Sequence, residues 1–365
     1  MEIKLQKQNL LYGLQKVLSV TTAKTNLPIL SYVLLNTEKN ELKIIATDLD
    51  IGIISKIPIE NIESGSICLP SRKFFDIIRE LPFEDVEIFT KKNNITIIKN
   101  KSCEFKIMGL NSEEFPKLPE FKESQAIKIK EEVLKEALSL VSFAVSLEEA
   151  RYVLNGVLFY FSNNKLEVVA TDGRRLAIKE EKLPYSLNKE IKMIIPIKTI
   201  HELERNLNET EESEVEVIFG KNQVGFGWED LIIISRLIEG DFPDYKQVIP
   251  QEVHPKIKIE RQFFLGAIRR ASLLSTPDYQ AVKLEVFKDK LVVSKSTPDM
   301  GESYEEIPIE YGGKELFIGF NPDYLIDVLK NLKEDTVEFE LTESEKPGVI
   351  RRPGYIYIVL PMRLG

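Results

Sequence analysis

The sequence predicts an α+β protein built from three copies of one unit, each copy a pair of helices laid on antiparallel strands. Three observations carry that prediction. The run LKIIATD at 42–48 returns as LEVVATD at 166–172, 124 residues on, with the same leucine-polar-apolar-apolar order before Ala-Thr-Asp. A degraded copy, LVVSKST, begins at Leu291, a further 125 residues along. The segment LPSRKFFDIIREL (69–81) recurs as IPIKTIHELERNL (195–207) and more loosely as IGFNPDYLIDVLKNL (318–332), while EEFPKL (113–118) matches GDFPDY (240–245). Repetition at a third of 365 residues sets domains at 1–124, 125–250 and 251–365, each within the usual size range.

Each unit opens with an amphipathic helix. Leu10, Leu11, Leu14, Val17 and Leu18 fall on one face at a 3.6-residue period, as do Leu134, Ala137, Leu138 and Val141, then Phe263, Ala267, Ile268 and Ala271. A second helix follows in each unit, capped by Ser71 in the first and by Asn321, with Pro322 in its first turn, in the third. Strands are read from alternating runs such as Ile95–Ile98, Val215–Ile218 and Val337–Leu341, with Asn93-Asn94, Asn163-Asn164 and Gly312-Gly313 as turn signals.

Composition narrows the function. Cys68 and Cys103 are the only thiols, which excludes a disulfide framework. A hydrophobic content of 43% with 18 Gly and 18 Pro excludes a collagen-like or wholly disordered chain. The opening MEIKLQKQNLLYGLQKVL puts charges where a secretion signal needs an unbroken apolar run, and no run of about 18 apolar residues occurs, so a soluble, cytoplasmic protein is expected. The net charge of −9 argues, taken alone, against nucleic acid as a partner.

Enzymatic signatures are missing. No glycine-rich loop ends in Gly-Lys-Ser/Thr, and Gly225-Phe226-Gly227 reads as a turn or bulge. His201 and His254 stand 53 residues apart without ligand spacing, so no metal and no cofactor is expected. Asp48 and Asp172 hold equivalent places in two units, and each is expected to cap its own turn through an Asx bond rather than join a catalytic pair. Cations, by contrast, gather on the predicted helices, among them Lys16, Arg72, Lys73, Arg79, Lys198, Arg205, Arg269 and Arg270. Helices turned to one side would hold phosphates without reading sequence.

The motifs LPIL (27–30), ATDLD (46–50), PSRKFFDIIRELP (70–82), RYVLNG (151–156), VATDGRRLA (169–177), GDFPDYKQVIP (240–250), IGFNPDYLIDVL (318–329) and LPMRL (360–364) stand in one order along the whole chain. That order resembles the β sliding clamps of bacterial DNA polymerase III. The resemblance implies a DNA clamp fold that closes as a head-to-tail homodimeric ring around duplex DNA and tethers a polymerase without catalysis of its own. It implies DNA contacts at Lys24, Arg72, Lys73, Arg151, Tyr152 and Lys198. It implies a pocket for a short peptide of polymerases, the clamp loader and repair proteins at Thr171, Gly173, Arg174, Arg175, Leu176, Pro243, Val248, Asn321, Tyr324, Pro361, Met362, Arg363 and Leu364. Subunit contact would use Phe105 and Ile107 against Leu273 and Leu274, with Lys73 near Glu302, Glu305 and Glu306. Glu104 and Gln247 stand where the family often carries a base, and Gly365 extends past its usual terminal leucine. Competing readings are a triplicated peptide-binding scaffold that never meets DNA and an enzyme acting through Asp48 or Asp172.

Overall fold

A computed structural model describes residues 1–21, 27–119, 121, 125–187, 189–208, 213–251 and 255–364. Lys24, His254, Gly365 and the expected boundary at 124 lie outside the described residues.

The first third runs β1 (Glu2–Gln6), α1 (Lys7–Val17), β2 (Tyr32–Glu38), β3 (Glu41–Thr47), β4 (Ile51–Pro58), β5 (Glu60–Glu63), β6 (Ser66–Pro70), α2 (Ser71–Glu80), β7 (Asp85–Thr90), β8 (Ile95–Asn100) and β9 (Cys103–Met108). The second runs β10 (Gln125–Lys130), α3 (Glu131–Ser139), β11 (Gly156–Ser162), β12 (Lys165–Thr171), β13 (Arg175–Lys182), β14 (Ile191–Pro196), α4 (Ile197–Asn206), β15 (Glu214–Phe219), β16 (Gln223–Gly227) and β17 (Leu231–Arg236). The third runs β18 (Lys256–Glu260), α5 (Arg261–Ser272), β19 (Val282–Val286), β20 (Lys290–Thr297), β21 (Gly301–Pro308), β22 (Leu316–Phe320), α6 (Pro322–Asn331), β23 (Thr336–Glu340), β24 (Gly348–Arg352) and β25 (Tyr355–Val359). Leaving out β5, the order is the same in all three: strand, helix, four strands, helix, three strands.

Each third divides its strands into two sets, four and four in the second and third and four and five in the first, and neighbouring thirds share sheets. In one eight-stranded sheet the order is β10-β15-β16-β17-β4-β3-β2-β6; in the other it is β14-β11-β12-β13-β25-β24-β23-β18. The joints are antiparallel strand pairs, β17 on β4 with Ile233 opposite Ile53, and β25 on β13 with Tyr357 opposite Ala177. Two sets remain at the ends, the five-stranded β5-β1-β7-β8-β9 and the four-stranded β21-β20-β19-β22. Because strands are shared this way, the chain forms two compact units that cut through the middle third: residues 1–132 with 201–237, and residues 133–200 with 238–365.

The periodic residues make the helix faces. α1 buries Leu10, Leu14 and Val17, and α3 buries Leu134, Ala137 and Leu138. In α5 the face is centred one residue later than the pattern predicts. Phe264 is buried against Phe339, ring centroids 6.2 Å apart, and Phe263 is turned out to 52% exposure.

Two further readings are corrected. Ser71 does not cap α2: Pro70 holds the cap position and the buried Ser71 hydroxyl donates to the Ser31 carbonyl at 2.8 Å. Asn321 does cap α6, accepting from the Asp323 amide at 2.9 Å. Gly225 and Gly227 belong to the regular strand β16, not to a turn, with Gly225 opposite Ile218 and Gly227 opposite Glu216.

Candidate peptide and DNA interfaces

The repeated Ala-Thr-Asp motif closes a β-hairpin. Asp48 accepts from the amides of Asp50 and Ile51 at 3.0 and 2.8 Å, and Asp172 accepts from those of Arg174 and Arg175 at 2.8 and 3.0 Å. Both are the Asx turns expected of them. Residue 49 and residue 173 share the left-handed conformation, φ 81° for Leu49 and φ 85° for Gly173, so only the second tip has the residue that adopts it without strain.

That second tip carries several of the residues expected to receive a peptide, Thr171, Gly173, Arg174, Arg175 and Leu176. The Arg175 side chain, only 10% exposed, reaches back from β13 to Asp172 at 3.0 Å and across to Asp327 of α6 at 2.7 Å. Its guanidinium lies 4.4 Å from the centroid of the Tyr324 ring, and Tyr357 donates to the Tyr324 carbonyl at 2.8 Å. Its donors are taken up inside the protein, by Asp172, Asp327 and the Phe143 carbonyl. A charge this deeply placed is tolerable because two carboxylates and a ring face it.

Leu176 is buried with Leu158, Val169, Ile358 and Tyr245 in one apolar cluster, onto which Phe242 and Ile249 pack. The segment Pro243–Val248 thus lies over that cluster, with Val248 57% exposed. The Leu360 amide donates to the Arg174 carbonyl at 2.9 Å and the Met362 amide to the Gly319 carbonyl at 2.8 Å. Gly319 allows that approach, since a Cβ there would stand 2.7 Å from Met362 O and from the Leu364 side chain. Pro361 and Met362 are half-buried, Arg363 and Leu364 exposed, so the final residues form a fixed edge. Asn321 and Tyr324 begin α6 beside them.

At the first hairpin the position of Leu176 is Gly52, and Leu118 from the following linker fills the space, its Cδ2 2.6 Å from where a Cβ would be. The two hairpins are therefore built alike and finished differently.

Arg151 and Tyr152, expected to face DNA, are placed at the same second hairpin. Arg151 Nη1 donates to the Asp172 carbonyl at 2.9 Å, and Tyr152, 60% exposed, lies against Gly240. Arg72 and Lys73 project from the exposed face of α2, opposite the buried Phe74 and Ile78, and Lys198 is exposed on α4. Arg79 is engaged by Asp76 and Glu80, both at 3.2 Å, and Arg205 by Glu202 at 3.2 Å. Lys16 donates to Asn206 at 2.9 Å. Of these cations, Arg72 and Lys73 stay out of ion pairs among the described residues. His201 is exposed, and no group of metal-ligating side chains occurs among the described residues.

Phe105 and Ile107 lie on β9, the outer strand of the five-stranded sheet, with Phe105 38% exposed. Glu302, Glu305 and Glu306 lie on β21, the outer strand of the four-stranded sheet, and Leu273, 77% exposed, follows α5 with Leu274 beside it. Two of the three acids already have partners in the chain. Arg270 grips Glu305 at 2.5 and 2.8 Å and Lys290 holds Glu306 at 2.7 Å, whereas Glu302, among the described residues, takes only the Ser296 hydroxyl at 3.0 Å. Glu104 is balanced by Lys106 at 3.1 Å. Sequence reasoning missed Asp327 and Phe143, which complete the Arg175 cage; an acid in the apolar stripe of α6 was the available signal.

A threefold repeat of paired helices on shared antiparallel sheets defines the class of DNA clamps. Three models of the DNA polymerase III beta subunit match in succession, the N-terminal domain over residues 1–119, the central domain over 128–244 and the C-terminal domain over 246–363. The chain belongs to this family, the beta sliding clamps. It is 34% identical to the beta sliding clamp of Staphylococcus aureus, over 100% of this chain and 99% of that one. The crystal structure of the Bacillus subtilis sliding clamp superposes with a TM-score of 0.96 at 32% identity, covering 100% of both chains. The Pseudomonas aeruginosa sliding clamp, solved bound to griselimycin, superposes with a TM-score of 0.95 at 31% identity, again over 100% of both. No helix among the described residues is long and apolar enough to cross a membrane.

Proposed function

We propose that two copies of this chain close head to tail around duplex DNA and hold a polymerase there through a peptide seated beside the second hairpin. The observation that carries the proposal is the rule by which the thirds join. The last strand of one third pairs with the third hairpin strand of its neighbour, β17 on β4 and β25 on β13. By the same rule β9 is a joining strand without an acceptor, and β21 an acceptor without a joining strand; each is outermost in its sheet. Pairing β9 of one copy with β21 of the other repeats the joint and covers backbone groups that an open edge leaves exposed. Six equivalent repeats then close by rotation, the condition for a finite head-to-tail assembly. Phe105, Ile107, Leu273 and Leu274 supply apolar contact there, and Lys73 faces Glu302, the acid least engaged in its own chain.

In this reading Lys24, Arg72, Lys73 and Lys198 meet phosphates loosely, and linkage rather than affinity keeps the ring on DNA. Arg151 and Tyr152 serve the rim of the pocket as well as the DNA side. Thr171, Gly173, Arg174, Leu176, Pro243, Val248, Asn321, Tyr324 and Pro361–Leu364 receive the apolar peptide, with Arg175 as the brace behind Tyr324. Domain limits at 1–124, 125–250 and 251–365 and a bacterial cytoplasmic location belong to the same proposal, since the work is on the chromosome.

Sedimentation tests the joint. The protein is expected to run as a dimer of 41.9 kDa chains, and Leu273→Asp as a folded monomer with the same circular dichroism. A Leu273→Asp protein that stays dimeric would remove the proposed contact.

A further inference from the structure

The wall of the pocket that carries Val248 is a single 3₁₀ turn, Tyr245–Val248. Within it the Tyr245 amide donates to the Pro243 carbonyl and Gln247 Nε2 to Asp244, both at 2.8 Å, while its closing bond, Ile249 amide to Lys246 carbonyl, is 3.4 Å long and the Asp244 side chain reaches the Lys246 amide at 3.3 Å. Those bonds shape the turn locally, and its attachment to the sheet is made elsewhere. Glu167 on β12 stands opposite Tyr160 on β11, and Tyr160 stands opposite Lys192 on β14. The Tyr245 hydroxyl donates to Glu167, and Lys246 Nζ lies 3.4 Å from the other Glu167 oxygen and 5.1 Å from the Tyr160 ring. Both members of the Tyr245–Glu167 bond are shielded: Tyr245 is 8% exposed and the Glu167 side chain 13%. Burial first, and then Glu167, push the Tyr245 phenol far above its ordinary range, so it remains a donor.

We infer that Glu167 and Tyr245 are positioning residues for the peptide pocket, fixing the turn from below so that Val248 is presented to a ligand without first having to be ordered. Neither is among the residues assigned to ligand contact, and the inference rests on the pocket reading given above. A wall held in place spares the ligand the cost of ordering it, and a free wall charges that cost to affinity.

The test uses the full-length dimer with griselimycin as the probe, measuring affinity and dissociation rate by surface plasmon resonance. Tyr245→Phe, which deletes one oxygen, is expected to weaken binding about 10-fold, chiefly through faster dissociation. Glu167→Gln, which still offers the hydroxyl an acceptor, is expected to stay within about twofold, and Glu167→Leu to match Tyr245→Phe. The double variant should be no weaker than Tyr245→Phe alone, the mark of one shared bond. Sedimentation should be unchanged throughout, and Glu167→Leu supplies the answer if Tyr245→Phe does not fold. Tight binding by Tyr245→Phe and Glu167→Leu, equal to that of the unaltered protein, overturns the inference. Failure of the unaltered protein to bind griselimycin overturns instead the pocket reading beneath it.

Discussion

Asp172 does two tasks, and its counterpart in the first third, Asp48, shares the first. One carboxylate oxygen closes the hairpin turn and the other pairs with Arg175, where the first hairpin has Ile51. The tasks can be separated. Asp172→Asn keeps an acceptor for the turn and removes the charge, and should cost about 2 kcal/mol in urea unfolding, less than a whole buried pair because Asp327 remains. Asp172→Ala should cost about 1 kcal/mol more for the lost turn bond. Equal stability of the two variants would show that the turn bond contributes nothing. The thiols make a second contrast. Burial pushes Cys68 up to about 12, whereas Cys103 is half-exposed on β9. Thiolate being the reactive form, iodoacetamide at pH 8 should label Cys103 and spare Cys68; equal labelling would contradict the packing around Cys68. The Asx role of both aspartates was legible because turn chemistry is local. Arg175's inward engagement was not, since Asp327 lies 152 residues away.

At the scale of elements, periodicity located α1, α3 and α5 because a buried stripe must recur each turn, and the repeated segments located α2, α4 and α6. Ends and offsets were harder. Ser71 looks like a cap in sequence, yet its side chain answers to Ser31, 40 residues earlier, and β5 arises from an ENIE run with no clear alternation. Sharing of strands between thirds was also hidden, since β4 and β17 are similar apolar runs that any edge could accept. α2 carries the clearest prediction about DNA. Replacing Arg72 and Lys73 by Ala should weaken duplex binding most at low salt and flatten the dependence of log K on log salt by about 1 to 2. An unchanged slope would take α2 out of the DNA surface.

For the whole molecule the total charge of −9 was the poorest guide, because it counts charges without placing them. Family membership overrules the expectation it raised. The repeat, in contrast, was legible across its full length, and the observed joints leave β9 and β21 as outer strands without that pairing. What those strands do decides the account. The most direct measurement loads the protein with its clamp loader onto nicked circular DNA, removes free protein, and follows retention by gel filtration before and after the circle is cut once. Topological linkage predicts that the clamp stays on the circle at moderate salt and runs off once ends are made. Equal retention on circular and linear DNA would contradict it.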